Sequence, residues 1–446
     1  MQVFRYPDPT TWPALQRRSL ADTQSEVLTR AAAIFDDVTR RGDAALLAYA
    51  AELDGAPGLT NLRVSAEELA AGAAQVPPAL QTAIRRALFN IEAFHAAQRP
   101  PAQEAEVETM PGVRCWRRAV PVERVGLYVP GGSAPLFSTL LMLGAPARLA
   151  GCRQIVVCTP PGRGTGLVAP AILFAARELG LTTIIKAGGA QAVAALTVGT
   201  ASVPAVDKIF GPGNRYVTAA KQLAAQRGVA IDMPAGPSEV LVIADASANA
   251  AFVAADLLSQ AEHGPDSQVI LLTDSERLLV DVQAEVARQL DSLPRADVAR
   301  QALVESRALL LPDAARMLAF SNQYAPEHLI LAVADPAAYA SGVINAGSVF
   351  MGHYTPEAVG DYASGTNHTL PTSGYARAYS GVSLDSFYKK ITFQQLTPAG
   401  LAALAPTVEA MAEAEGLRAH ARAVSVRREL SGEHAESALA RSAARV

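Results

Sequence analysis

From residue 125 to about residue 333 the chain repeats one texture, in which short β-branched or aromatic runs alternate with Ala-rich stretches of helical spacing. Runs at 125–129, 155–158, 183–185 and 208–210 are separated by stretches at 137–150, 167–179, 189–198 and 215–226. Parallel βαβ units require this alternation, because a parallel neighbour is reached only through a crossover long enough to hold a helix. After the turn Pro234-Ala235-Gly236-Pro237-Ser238 the pattern resumes, with strands at 239–244, 269–273, 309–311 and 329–333 and helices at 249–262 and 277–290. Two consecutive series predict an α/β protein with two Rossmann-like open sheets. Ligands are expected at strand C-terminal ends, between the sheets.

The flanks differ. Residues 22–99 read as helical: Asp22 or Thr23 can cap a run ending near Gly42, and Pro78 opens a second run through Ile84, Leu88, Ile91 and Phe94. From Leu396 the chain reads as helical again, with Pro398 and Pro406 at helix starts. Val408, Met411 and Glu415, then Leu417, His420 and Val424, lie along one face, and such an appendage must pack on something else; a second subunit is a candidate. The polar, Ala-rich segment after Leu430 reads as a frayed end. Hydrophobic residues make up 50% of the 446 and charged residues 18%, which allows a large core. The net charge of −4 gives no electrostatic argument for nucleic acid. Cys115, Cys152 and Cys158 lack metal or redox spacing and fit a reducing compartment. The first residues carry Pro7, Pro9 and Pro13 where a signal peptide needs an apolar run, and no apolar run reaches membrane length, so a soluble cytoplasmic protein is expected.

Chemistry concentrates in three polar clusters. Gln260 and His263 are three apart near the end of the predicted helix at 249–262 and share a face, so a metal can take the His nitrogen and the Gln carbonyl together. The bland alternative is a helix-terminal histidine satisfied by the dipole before Gly264-Pro265. Glu327 and His328 follow Pro326, which can start a short helical turn. They suit two successive proton transfers at two sides of one substrate, or a plain helix start with an acidic first turn. Asp361 lies between Gly360 and Gly365, in a segment too rich in small residues for a helix; it is a ligand candidate or an Asp bonded to its own turn. His353 and His368 have no role assignable from spacing, and His420 sits on an apolar stripe, where packing is the ordinary reading. Glycine turns at 128–132, 188–191 and 211–214 each stand between a strand and a helix, where backbone amides can face a pyrophosphate. Gly162-Arg163-Gly164-Thr165-Gly166 has the wrong spacing for a dinucleotide fingerprint and reads as a flexible loop. Cys115 or Cys152 as a nucleophile toward an aldehyde lacks a neighbouring His or helix start.

In order, these segments resemble histidinol dehydrogenases. The matching stretches are 128–132, the GGAQA run at 188–192, 211–214, DMPAGPSEV at 232–240, SQAEHGPDSQ at 259–268, YAPEHL at 324–329, 354–371, ARAYSGVSLDSF at 376–387 and EGLRAH at 415–420. The similarity runs from about residue 25 to about residue 430. It implies oxidation of L-histidinol to L-histidine through L-histidinal in two NAD-dependent steps, one zinc per site, and a homodimer. Zinc ligands by motif position are Gln260, His263, Asp361 and His420, the last from the partner subunit. Glu327 and His328 carry the proton chemistry. Substrate contacts implied are Ser238, Gln260, His263, His328, Asp361, Glu415 and His420, and NAD contacts are Tyr128, Gln191 and Asn214. The resemblance also implies a domain scheme: a tail segment at 1–22, a first α/β domain from 23–109 and 238–381, an inserted α/β domain at 110–237, and a helical, dimer-contacting tail at 382–446. A zinc and NAD dehydrogenase of another small amino alcohol or polyol, a zinc hydrolase, and a non-enzymatic metal- or nucleotide-sensing protein are the competing readings.

Overall fold

Strands covered by helices on both faces carry near-continuous apolar runs. EVLVIA at Glu239–Ala244 and QVILLT at Gln268–Thr273 meet that demand, and every residue of both is buried. The structure is a computed structural model describing residues 1–18, 24–101, 103–131, 135–234 and 236–443; Asp22 and Thr23, read above as helix caps, lie outside them. The chain forms two compact units, Met1–Arg99 with Val122–Phe387, and Pro100–Pro121 with Tyr388–Val446.

The larger unit holds two open, all-parallel sheets. One has six strands in the order Gln2–Arg5, Arg307–Leu310, Gln268–Thr273, Glu239–Ala244, His328–Ala332, Ser348–Met351. The other has five, in the order Ile184–Lys186, Gln154–Thr159, Arg124–Tyr128, Lys208–Phe210, Ala230–Ile231. Side-chain alternation along a strand divides the core of the six-stranded sheet in two. Val240, Val242 and Ala244 face one layer with Leu257, Leu279 and Val282, while Leu241 and Ile243 face Trp12, Phe320 and Tyr324 on the other side.

Two open α/β sheets are thus present as read from the sequence, with differences at the margins. Residues 1–22, expected as tail, supply the edge strand Gln2–Arg5. Four residues are too few for a periodicity signal. The smaller unit is not purely helical: Tyr388–Leu396, Val113–Pro121 and Val107–Met110 form a three-stranded antiparallel sheet, with Trp116 stacked on Phe393 at 5.5 Å. Its helices are Pro398–Ala414 and Arg418–Ala443, so the segment expected to fray continues as helix. Among the described residues no helix is long and apolar enough to cross a membrane.

Candidate functional site

Parallel pairing sets Glu239 and His328 side by side, because His328 lies opposite Val240 at the start of its strand. The Glu239 backbone serves both members of the pair behind it. Its N–H donates to Glu327 Oε2 at 2.8 Å. Its carbonyl lies 3.1 Å from His328 Nδ1, and since a carbonyl only accepts, Nδ1 carries the hydrogen and Nε2 is left for the site. His328 Nε2 has no hydrogen-bond partner and stands 3.6 Å from Asp361 Oδ1, an ion-pair distance. Glu327 and His328 are both buried. The helical turn expected after Pro326 is absent: Ala325 adopts a left-handed φ of 54° after the helix Ala314–Tyr324, and the chain passes through Pro326 and Glu327 into the strand His328–Ala332.

Asp361 is on a helix after all, Glu357–Tyr362, which starts behind Pro356. Gly360 is there for closeness: a Cβ at that position would lie 2.6 Å from the Phe350 ring. Glu357, one turn before Asp361, is buried, and the sequence reading passed over it. The i, i+4 spacing of two carboxylates in PEAVGD was the available signal. Gln260, in the last turn of Ala250–Ala261, is buried against it, one amide atom lying 2.7 and 3.3 Å from the Glu357 carboxylate oxygens and 3.2 Å from His328 Nδ1. His263 follows that helix and is exposed. Ligand atoms of His263, Glu357 and Asp361 lie within 4.8 Å of one another.

Gln260, His263, Glu327, His328 and Asp361, from three separate stretches of sequence, are therefore neighbours. Ser238 precedes the strand Glu239–Ala244 and accepts the Gln268 N–H through its carbonyl at 3.2 Å. Glu415 and His420 belong to the smaller unit, at the end of one helix and in the first turn of the next, and both are exposed. His368 holds the cluster from outside, through Nδ1 to the Asp361 carbonyl at 2.9 Å and Nε2 to Thr139 Oγ1 at 3.3 Å. Asn367 donates to the Met142 carbonyl at 2.6 Å, so this loop is docked on the first helix of the five-stranded sheet. His353 pairs with Ser247 at 3.2 Å.

Carboxylates dominate the electrostatics. Burial pushes Glu327 up to about 8, and Glu357 likewise to about 8. Burial pushes Asp256, which faces Glu357, up to about 7. Burial works against a charged His328, but Glu357, Glu327 and Asp361 outweigh it and hold the imidazolium well above its ordinary range. Burial likewise works to raise Asp361, and the facing His328 reverses it to below the usual carboxylate range. Carboxylates outnumber basic partners, and the donor set is imidazole, carboxylate and amide. Such a set suits a borderline or hard divalent cation better than a thiophilic one.

A second site lies at the other sheet. A cavity of about 1020 Å³ is lined by Tyr128, Gly189, Gln191, Asn214, Asp54 and Arg163, among others. Tyr128 is buried, with its hydroxyl accepting the Gly189 N–H at 3.1 Å. Gly189, at φ 60°, opens the helix Gly189–Val198; a Cβ there would lie 2.6 Å from Gln191 Oε1. The Gln191 amide is buried with only the Asp54 carboxylate set against it, which suits a polar ligand entering the cavity. Asn214 caps the helix Arg215–Gln226, its Oδ1 accepting from Tyr216 and Val217, so its NH2 is what it offers a ligand. All three residues singled out for the cofactor thus line one cavity. Gly162 and Arg163, read as part of a flexible loop, line it too. This cavity lies past the strand ends Tyr128 and Thr159, whereas the polar cluster sits where Glu239 and His328 begin their strands. The cysteines are free, and burial pushes Cys152 up to about 12 and Cys158 higher still.

Known proteins resemble this chain over nearly its whole length. Residues 16–428 match the family profile described as histidinol dehydrogenase. A histidinol dehydrogenase of Bacteroides fragilis is 54% identical over 435 residues, 96% of this chain and 99% of that protein. One of Xylella fastidiosa is 58% identical over 397 residues, 89% of this chain and 91% of that protein. The crystal structure of histidinol dehydrogenase from Elizabethkingia anophelis superposes with a TM-score of 0.92 at 54% identity, covering 97% of this chain and 99% of that one.

Proposed function

The chain belongs to the histidinol dehydrogenase family, and on that premise we propose that it converts L-histidinol to L-histidine in two NAD-dependent oxidations, with L-histidinal between them. One zinc ion per site is held by Gln260, His263 and Asp361, with His420 of a second subunit. The observation that carries the reading is the gathering of Gln260, His263, Asp361, Glu327 and His328 in one acidic cluster. Zinc, when bound, supplies a fixed positive charge that orients the substrate's nitrogens, and NAD accepts the hydride of each half.

The protein's own groups then divide the protons. His328 Nε2, bare and facing the site, takes the proton of the alcohol as its carbon loses hydride. For that it must be neutral, and a divalent cation beside Asp361 and Glu357 offsets the carboxylate charge that now favours the imidazolium. Glu327 takes a proton from the water that adds to the aldehyde, giving the hydrate whose second hydride departs. Burial keeps its basicity well above that of an ordinary carboxylate, which suits a base working near neutral pH. Gln191, Tyr128 and Asn214 hold the dinucleotide in the cavity at the five-stranded sheet. Ser238 and Glu415 are among the substrate contacts. Exposed Met411 and Leu417 on the smaller unit, beside Glu415 and His420, support a homodimer.

The test is stoichiometry. Zinc-loaded protein should form NADH and consume histidinol in a ratio near two; a ratio near one with free aldehyde would reduce the enzyme to a simple alcohol dehydrogenase.

A further inference from the structure

Outside the cluster, one buried charge pair has no evident use. Arg18, from the N-terminal segment, forks onto the Glu239 carboxylate, Nε to Oε1 and Nη2 to Oε2 at 2.9 Å. Its Nη2 also donates to the Tyr324 carbonyl at 2.8 Å, and the guanidinium lies 3.9 Å over the Tyr324 ring. The Ser373 N–H adds a third donor to the Glu239 carboxylate, at Oε1 and 2.8 Å. A buried ion pair is a weak source of stability, because removing both charges from water offsets most of their attraction. The layers around the six-stranded sheet are apolar and complete without it.

What the pair does control is the backbone frame of the reactive residues. Glu239, held by its side chain, presents its N–H to Glu327 and its carbonyl to His328. Tyr324, held by its carbonyl and ring, immediately precedes Ala325, whose left-handed conformation aims Pro326 and Glu327 into the site. A non-glycine residue stays in that region only where its surroundings enforce it. Arg18 thus grips both ends of the frame on which Glu327 and His328 are mounted, and touches neither. Only an arginine can fork onto a carboxylate, stack on a ring and reach a carbonyl at once.

We propose that Arg18 is a positioning residue for catalysis, acting through Glu239 and Tyr324 to fix Glu327 and His328. The inference rests on the reading that those two residues move the protons. The test uses full-length, zinc-loaded protein carrying Arg18→Ala, Arg18→Lys or Glu239→Gln, with rates expressed per zinc-occupied site. Arg18→Ala is expected to lower kcat for both halves by about 10- to 100-fold, the cost of misplacing a reacting group by a fraction of an ångström to an ångström. KM for NAD and zinc content should change less than about twofold, since neither site contains Arg18, and Arg18→Lys should recover part of the loss. In a Glu327→Gln background, adding Arg18→Ala should slow histidinal oxidation less than about threefold, because the group it positions is already gone. A purely structural role predicts instead a lower Tm, fewer occupied sites and an unchanged kcat per site in the wild-type background. The proposal falls if kcat per site in Arg18→Ala stays within about twofold of wild type. Should that variant not fold, the same result in the nearly isosteric Glu239→Gln overturns it. A wild-type protein making no NADH from histidinol would remove the functional reading itself. An active wild type with an unaffected Arg18→Ala would remove this inference alone.

Discussion

The two sheets of the larger unit use opposite edges. At the five-stranded sheet the cavity opens past the strand ends, where the helix Gly189–Val198 begins without a side-chain cap. At the six-stranded sheet the polar cluster lies where strands begin, and there the helix Ala250–Ala261 ends, delivering Gln260 and then His263. Helix starts carry partial positive charge and unpaired N–H groups, which favour anions; helix ends carry the reverse and favour cations. One edge therefore suits a pyrophosphate and the other a metal ion and proton traffic. A rule that places ligands at strand C-termini describes sites for phosphates, and it loses its basis where the ligand is positive.

If the edges differ in this way, damage to one should leave the other's ligand untouched. The largest effects belong to the proton pair. His328→Asn should slow the first hydride transfer by on the order of 100-fold or more, read as first-turnover NADH formation. Glu327→Gln should slow oxidation of supplied histidinal by a similar factor and the first half much less. Equal slowing of both halves by Glu327→Gln would end that division of labour. Next comes the claim that the cation edge is completed by another subunit. Protein with His420→Ala and protein with Asp361→Asn should each be nearly inactive, whereas mixed dimers should recover roughly a quarter of wild-type activity, one intact site in half of the dimers formed. No recovery would mean the ligands come from one chain.

A smaller effect tests the comparison directly. Gln191→Ala should weaken NAD binding about tenfold, the worth of a hydrogen bond or two, with zinc content unchanged. Gln260→Ala should do the reverse, releasing zinc with NAD affinity kept; both ligands falling together in either variant would argue for one composite site. The smallest effect concerns Asp256. Its pKa rises on folding from 3.8 to about 7, so the folded state binds the extra proton, and zinc-free stability falls as pH rises through that window. Asp256→Asn should therefore raise Tm at pH 8 by on the order of 2 °C and change it little at pH 4. Added zinc should shrink the difference, by balancing the carboxylates that Asp256 joins.

The pattern of apolar runs carried the two sheets, because fully covered parallel strands leave no room for polar residues except at their ends. Gln260, His263, Glu327, His328 and Asp361 were legible as ligand or proton-transfer types, and the family motifs linked them. What stayed hidden was anything decided by register or by distance along the chain. Glu357 drew no notice in the sequence, and only burial beneath Gln260 makes it part of the cluster. Arg18 lies 221 residues from Glu239, and no local spacing announces their pairing. The strands Val113–Pro121 and Tyr388–Leu396 are half exposed and rich in Arg, Lys and Gln, so their weak alternation did not stand out from the surrounding polar sequence.

The four residues Gln2–Arg5 do more than lengthen a sheet. They lie along Arg307–Leu310, all of whose residues are buried, and Arg5 is tied to Glu276. Trimming the first few residues would turn that apolar interior strand into an open border, with a bare row of backbone groups onto which a foreign chain can zip. This short strand serves as a selvedge, and its loss would favour aggregation.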